Sequence, residues 1–304
     1  MQMLKTISMV TISAADLAAV EMAYCNFLNY RIAQRGKISA ALAESWGAKQ
    51  TAGRDFLVLQ PESGEPVYLR FIAAEPLTGY AALKTFGWNA TEILVSDTDA
   101  LAEKLSNSPF QIIGPPRDLS SGSSIRAMQV IGPAGELLYL TRIPPDKSAF
   151  GLESAKTAVD RVFIVVVGGN NLSALREFYA DKLRLMISPP APYRISVLSN
   201  AHGLDPEQLH PLSVARLSSR FLIELDQYPP TATVRPCRSG ELPPGVSMVS
   251  FTVDSLDDVP SNFIQPSANI NHPPYNGRKI AVAVGPAGEL VELIESPQNQ
   301  HCHK

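Results

Sequence analysis

The chain has 304 residues, enough for two domains each with its own core, and is 45% hydrophobic and 18% charged. No apolar run approaches the roughly 18 residues of a membrane span, and a net charge of −3 without a basic block gives no nucleic-acid footprint. Cys25, Cys237 and Cys302 are scattered, which fits a reducing compartment. With no signal-peptide pattern in MQMLKTISMV, they predict a cytoplasmic protein without membrane or nucleic-acid partners.

In chain order, Leu4–Ser13 is β-branched and apolar, as a strand should be. Asp16 is placed to cap a helix in which Leu17, Val20, Tyr24, Phe27 and Leu28 recur on one face. Tyr30–Gln34 resumes as a strand, an Ala-rich stretch runs through Trp46, and Phe56–Gln60 and Val67–Ala73 form a hairpin around Glu62–Pro66. The same order restarts with the strand Trp88–Val95 and a helix after Asp97 that turns Leu101 and Leu105 inward. Strands at Phe110–Gly114, Ser124–Ile131 and Glu136–Ile143 complete this second unit. After Pro144–Pro145 a third unit opens with Val159–Val167, a turn at Gly168–Asn171 and a helix carrying Leu172, Leu175, Phe178, Tyr179 and Leu183. It closes with Val214–Leu217 and Phe221–Asp226. A fourth unit holds Val246–Val253, a helix after Ser255, Lys279–Val284 and Glu289–Ser296.

The phrase GPAGEL occurs twice, at Gly132–Leu137 and Gly285–Leu290, each time as a turn signal between two apolar runs. EFYADKLRL repeats the pattern of AYCNFLNYR, and Val197–Gly203 echoes Leu42–Gly47, which sets His202 where Trp46 stands. The chain is thus two copies of one module: 1–145, a linker 146–157, a second copy 158–297 and a frayed tail 298–304. The fold class is α+β: four β-α-β-β-β units forming two modules, each an eight-stranded half-barrel cup with helices outside and a hollow for a ligand.

Strands leading into Asp16-Leu17 and Asn171-Leu172, the aromatic helices and the two GPAGEL hairpins make the sequence resemble the vicinal oxygen chelate superfamily, the glyoxalase, bleomycin-resistance and extradiol-dioxygenase group. The resemblance spans nearly the whole chain and implies fold more than chemistry, because that superfamily holds isomerases, lyases, dioxygenases, transferases and binders. Its metal-dependent members bind a divalent ion through His, Gln or Glu on the first strand of a unit, the opening strand of its partner unit and a final strand. Here the first-strand windows Thr6–Met9 and Arg161–Ile164 offer no such donor. The partner strands offer Ala90 and Met248, and the final strands Tyr139 and Glu292. A lone Glu292 does not hold a catalytic ion, so neither metal nor other cofactor is expected; Glu92 is the other nearby carboxylate.

Without a metal, Glu292 becomes a candidate acid or base, or one half of a structural ion pair with Arg161 or another cation. His202 is a candidate acid or base of ordinary histidine character, or an exposed loop residue. Alternation places Tyr68 with Arg70 on one strand face and Tyr139 with Thr141 on another. Tyr139, Arg70, Tyr68, Trp46, Arg161 and Met248 are accordingly the expected ligand-binding residues. The expected function is a metal-independent protein, monomer or homodimer, that encloses a small, largely apolar organic molecule and acts on it as an isomerase or lyase by acid–base chemistry. The alternatives are a divalent-metal enzyme of the glyoxalase or dioxygenase type, and a non-catalytic sequestering protein.

Overall fold

The computed structural model describes residues 2–119, 124–145, 152–260, 262–271 and 273–296. The expected tail, residues 146–151 of the expected linker, and His272, His301 and His303 lie outside the described residues. The first unit comprises β1 (Ile7–Ala14), α1 (Leu17–Phe27), β2 (Arg31–Lys37), α2 (Ala40–Ser45), β3 (Asp55–Gln60) and β4 (Tyr68–Ala73). The second comprises β5 (Gly87–Val95), α3 (Thr98–Leu105), β6 (Gln111–Asp118), β7 (Arg126–Ile131) and β8 (Leu137–Arg142). The third comprises β9 (Val159–Gly169), α4 (Leu172–Glu177), the short β10 (Met186–Ile187) and β11 (Ala191–Arg194), α5 (Ser196–Ala201), β12 (Leu209–Arg216) and β13 (Leu222–Gln227). The fourth comprises β14 (Val246–Val253), β15 (Ala268–Ile270), β16 (Arg278–Val284) and β17 (Leu290–Glu295).

Side-chain caps start the helices where the sequence puts them: Asp16 accepts from the amides of Ala18 and Ala19, Asp97 from Asp99 and Ala100, and Asn171 from Ala174. The helix expected after Ser255 does not form. That segment makes a turn closed by the Val259 amide on the Leu256 carbonyl, and Pro260 steers the residue before it away from helical backbone. Trp46 and His202 do occupy matching places, each the C-cap of the extra helix that covers a sheet, α2 and α5.

The strands form two sheets. One runs β15-β16-β17-β14-β1-β4-β3-β2, and the other β10-β12-β13-β9-β5-β8-β7-β6, with β11 beside β12. Each curled sheet therefore joins units from both halves of the chain: the first with the fourth through antiparallel β1 and β14, and the second with the third through antiparallel β5 and β9. This corrects the pairing expected from the division at 1–145 and 158–297. The chain leaves β8 and enters β9 directly beside β5, so the third unit completes the second unit's sheet and leaves the β1 edge for β14.

Consecutive units are instead held back to back. One continuous core takes Val10, Ile12, Leu69 and Phe71 from the first sheet, Ile93, Leu138, Val165 and Ile223 from the second, and Val20, Leu101 and Leu175 from α1, α3 and α4 between them. The repeated GPAGEL turn locks this layer. The Glu136 carboxylate folds back over Gly132 to accept from the Ala134 amide at 2.8 Å and the Tyr24 hydroxyl at 2.6 Å. Glu289 accepts from Ala287 at 2.8 Å and Tyr179 at 3.2 Å in the same way. A Cβ on Gly132 or Gly285 would lie 2.0 or 1.9 Å from that carboxylate, and Gly135 and Gly288 sit at φ +76° and +78°. Only glycine meets both demands. The motif marks a turn that an aromatic helix residue of the preceding unit caps, which explains why the aromatic pair and the hexapeptide repeat together.

Candidate functional site

The concave faces of the two sheets are differently furnished. In the first cup, formed by the first and fourth units, the lining includes Trp46, Val58, Ile72, Met248, Ile280, Val282 and Ile294, all buried, with Tyr68 packed against them. At its centre the Glu292 carboxylate, 0% exposed, accepts from Trp46 Nε1 at 2.7 Å, Ser250 Oγ at 2.5 Å and the Tyr275 hydroxyl at 3.0 Å. The Arg70 guanidinium, 2% exposed, lies 3.9 Å from it and 4.5 Å from the centre of the Trp46 ring. Arg70 donates to Thr11 Oγ1 through Nε at 3.1 Å and Nη2 at 2.7 Å, and through Nη1 to the Tyr275 hydroxyl at 2.7 Å. The tyrosine thus relays between cation and carboxylate. Every charge here has its partner inside the protein.

That arrangement bears on whether this cup fits a metal ion. In register with Glu292 on the strands beside it are Ser250 and Val282, neither a metal donor of the required kind, and the cation that pairs with it is the Arg70 guanidinium. A divalent ion beside Glu292 would have to displace Arg70 from a buried, hydrogen-bonded seat, so the residues present do not fit a divalent ion.

The second cup, formed by the second and third units, is lined by Ala90, Leu137, Val166, Val197, Leu198, Leu212 and Tyr228, with Tyr139 and Val214 partly buried beside them. Residues in register with those of the first cup have changed character. Glu92 on β5 sits opposite Tyr139 on β8, as Ser250 sits opposite Glu292, and Glu224 on β13 stands beside Val166 as Arg70 stands beside Thr11. Where the first cup offers an arginine and one glutamate, the second offers a tyrosine and two glutamates, with Asp226 next along β13. Among the described residues no three His, Cys, Asp or Glu side chains are arranged to hold a metal ion.

Glu92 is 8% exposed and accepts from Thr141 Oγ1 at 2.5 Å. Burial, reinforced by Glu224, pushes its carboxyl up to about 8. Glu224 and Asp226 hydrogen-bond to each other, and burial holds both above the ordinary carboxylate range. The Tyr139 phenol is raised by burial and then by Glu224, Asp226, Tyr228 and Glu92; strand register sets Glu92 opposite Tyr139, Glu224 beside Val166 and Asp226 beside Leu212, on the side where Val166, Leu212 and Tyr228 line the cup. The Tyr228 hydroxyl and Asp226 Oδ1 are buried without a hydrogen-bond partner among the described residues. Tyr228 lies across Gly168, where a Cβ would come within 2.3 Å of the ring. Tyr228, Phe86 and Ala232 belong both to the cup and to the wall of an open cavity of about 730 Å³ at its end.

The candidates named from the sequence divide between these places. Glu292, Arg70, Tyr68, Trp46 and Met248 lie in the first cup, where Glu292 pairs with Arg70 and not with Arg161. Tyr139 lies in the second, sharing its face with Thr141. His202 borders the second cup, but its Nε2 donates to the Leu83 carbonyl at 2.9 Å and its Nδ1 is 2.7 Å from Thr231 Oγ1. His210 lies on β12, not in a connecting segment, with Nε2 2.8 Å from Ser199 Oγ and a depressed pKa from burial and the neighbouring His202. Arg161 is buried at the start of β9, 3.4 Å from Glu153 and 3.9 Å from Asp160. Glu224, Asp226 and Tyr228 escaped the reading. Their signal was the alternation of acids with Ile223 and Leu225 in LIELDQY, which in an ordinary hairpin means a solvated face.

No family model and no curated protein matches the sequence. Solved structures do. Glyoxalase I from Zea mays is 12% identical, with a TM-score of 0.64 over 95% of this chain and 92% of that one. A protein from Bacillus subtilis subsp. subtilis str. 168, provisionally named a dioxygenase, is 11% identical, with a TM-score of 0.63 over 98% of this chain and 87% of that one. At such identity the likeness speaks to architecture. Together with two curled sheets built from paired units, it establishes that the chain has the vicinal oxygen chelate fold of the glyoxalase, bleomycin-resistance and dioxygenase proteins.

Proposed function

We propose that the second cup is the working site and that it binds a small organic molecule with a largely apolar body, moving a proton on it without a metal ion. The observation that carries this reading is the gathering of Glu92, Glu224 and Asp226 around Tyr139 in an apolar hollow. A carboxyl held near 8 gives and takes a proton readily at neutral pH, whereas an ordinary glutamate is spent as an acid there. Glu92 is the proton donor or acceptor, the Glu224–Asp226 pair stores a second proton, and the Tyr139 phenol orients the substrate by hydrogen bonding. The apolar walls exclude water and keep those carboxyls protonated until a substrate arrives. The first cup, with Arg70 and Glu292 satisfied by each other and by Thr11, Tyr275 and Trp46, serves as a rigid strut. The reaction class that fits is an isomerisation or an elimination through proton abstraction and return.

Native mass spectrometry of freshly purified protein tests the proposal. A co-purified organic molecule, retained by the Arg70→Met protein and lost from Glu92→Gln, is the expected result. Stoichiometric divalent metal, released together with the ligand by chelator, would point to metal-dependent chemistry of the glyoxalase or dioxygenase kind.

A further inference from the structure

The two cups differ most in charge. The first contains its own cation; the second presents Glu92, Glu224 and Asp226 on one concave face, and among the described residues none of the three forms an ion pair with a lysine, arginine or histidine. The nearest imidazoles are engaged elsewhere: His202 by Leu83 and Thr231, and His210 by Ser199. No lysine or arginine lines the open cavity that reaches Tyr228; the buried Arg235, whose charge acts on the Tyr228 phenol, spends its N–H groups on Thr85 Oγ1 and the carbonyls of Trp88, Pro244 and Val246.

Acidic side chains by themselves do not make a site, and here two further groups point to a missing partner. Tyr228 is 2% exposed and its hydroxyl has no hydrogen-bond partner among the described residues; Asp226 is 2% exposed and its Oδ1 has none there either. Asp226 sits on the β13 face that carries Glu224, Tyr228 follows just past the end of the strand, and its ring is laid over Gly168 by the absence of a side chain there. Buried polar groups in folded proteins are nearly all paired, so two unpartnered oxygens close together on one cup are places where the donors of a ligand would fit. Two tyrosine rings beside three acids suit a positively charged group, which the π faces of Tyr139 and Tyr228 also attract.

We infer that the ligand of the second cup is an organic cation, an amine or ammonium group on a small apolar body, whose charge is received by Glu224 and Asp226 and whose N–H groups meet Asp226 Oδ1 and the Tyr228 hydroxyl. This rests on the reading of the second cup as the binding site. Arg70 at the place matching Glu224 shows the same logic inverted: the first cup carries a built-in cation where the second leaves room for a visiting one. Burial lets Glu92, Glu224 and Asp226 hold their protons to higher pH than ordinary acids, and a cation beside them favours the charged forms. Binding therefore releases protons.

The test compares three probes of one shape and different charge: phenethylammonium, phenethyl alcohol and phenylacetate, titrated calorimetrically into the full-length protein in phosphate and in Tris. Phenethylammonium is expected to bind about tenfold or more tighter than either other probe. Its heat should differ between the two buffers in the sense of proton release. Glu224→Gln should abolish that preference. Tyr228→Phe, which removes a hydroxyl with no hydrogen-bond partner among the described residues, should leave folding intact and weaken the ammonium probe severalfold. Tighter or equal binding of the neutral or anionic probe overturns the charge assignment; if that binding is itself lost in Tyr228→Phe, the cup stands as the site. Ammonium binding indifferent to both substitutions sinks the cup reading as well. Binding of none of the three probes, or stoichiometric competition by manganese(II), overturns the proposal of an organic cation.

Discussion

Replacing Arg70 by methionine tests the division of labour between the cups. The substitution keeps most of the side-chain volume and removes a buried guanidinium that is 3.9 Å from Glu292 and gives hydrogen bonds to Thr11 and Tyr275. Glu292 would remain 0% exposed, still bonded to Trp46, Ser250 and Tyr275 but with no opposite charge. Removing one member of a buried pair costs about 3–5 kcal/mol, because the other is stranded in a medium that solvates it poorly. Glu292→Gln keeps an oxygen for Trp46 and strands the guanidinium instead, at a similar cost of about 3–5 kcal/mol. The double substitution strands neither, so its loss should fall short of the summed single losses by about 2 kcal/mol or more. Urea denaturation of the four proteins, followed by tryptophan fluorescence and far-UV circular dichroism, measures the cycle. Ligand binding to the second cup should survive in Arg70→Met at temperatures where that protein is folded. A single-variant cost within about 0.5 kcal/mol, or additive losses, would refute the assignment of Arg70 and Glu292 to a structural pair.

Other consequences follow from the same structure. Tyr24→Phe and Tyr179→Phe each remove a hydroxyl donor from a buried GPAGEL glutamate and should cost about 1–3 kcal/mol in denaturation midpoint, with Tyr24 the larger because its bond is 2.6 Å against 3.2 Å. Stability should fall as pH rises from 5 towards 8. Burial holds Glu136 and Glu289 up to about 7 and Glu92 up to about 8, against 4.5 in the unfolded chain, so the native state binds the extra protons in that window. Each group then contributes up to about 1.4 kcal/mol per pH unit, and urea midpoints that rise between pH 5 and 8 would contradict this. Gly168→Ala would set a methyl group 2.3 Å from the Tyr228 ring; forcing that ring out of the cup should cost about 1–3 kcal/mol and weaken ligand binding, both measurable on one purified variant.

Much of this architecture was legible in the chain because it depends on local and repeated signals. The cap at Asp16 and the doubled turn are written in consecutive residues and appear where they were expected; Asp97 and Asn171, read only as the residue before a helix and the end of a turn, prove to be caps as well, and α4 stops at Glu177, short of the aromatic pair expected on it. Which units share a sheet was not legible. Strand edges β1 and β5 are equally suited to a neighbour, and the choice of β14 and β9 follows from how the chain crosses between layers. The contents of the cups were half legible. Alternation put Arg70 with Tyr68 and Tyr139 with Thr141 on common faces, but the partner of Glu292 lies 222 positions away and could not be picked out among several arginines. The acids of β13 looked like the wet side of a hairpin, and only the curl of the sheet and the cover of α5 turn that side into a hollow.

The most direct measurement is a carbon-13 NMR titration of the glutamate and aspartate carboxyl carbons, with the Glu92 signal assigned by its loss in Glu92→Gln. The account predicts that Glu92 titrates near pH 8, that Glu224 and Asp226 also titrate above the usual carboxylate range, and that all three ionise at lower pH once phenethylammonium is bound. Ionisation of all three near pH 4 in the empty protein, unmoved by the probe, would contradict it.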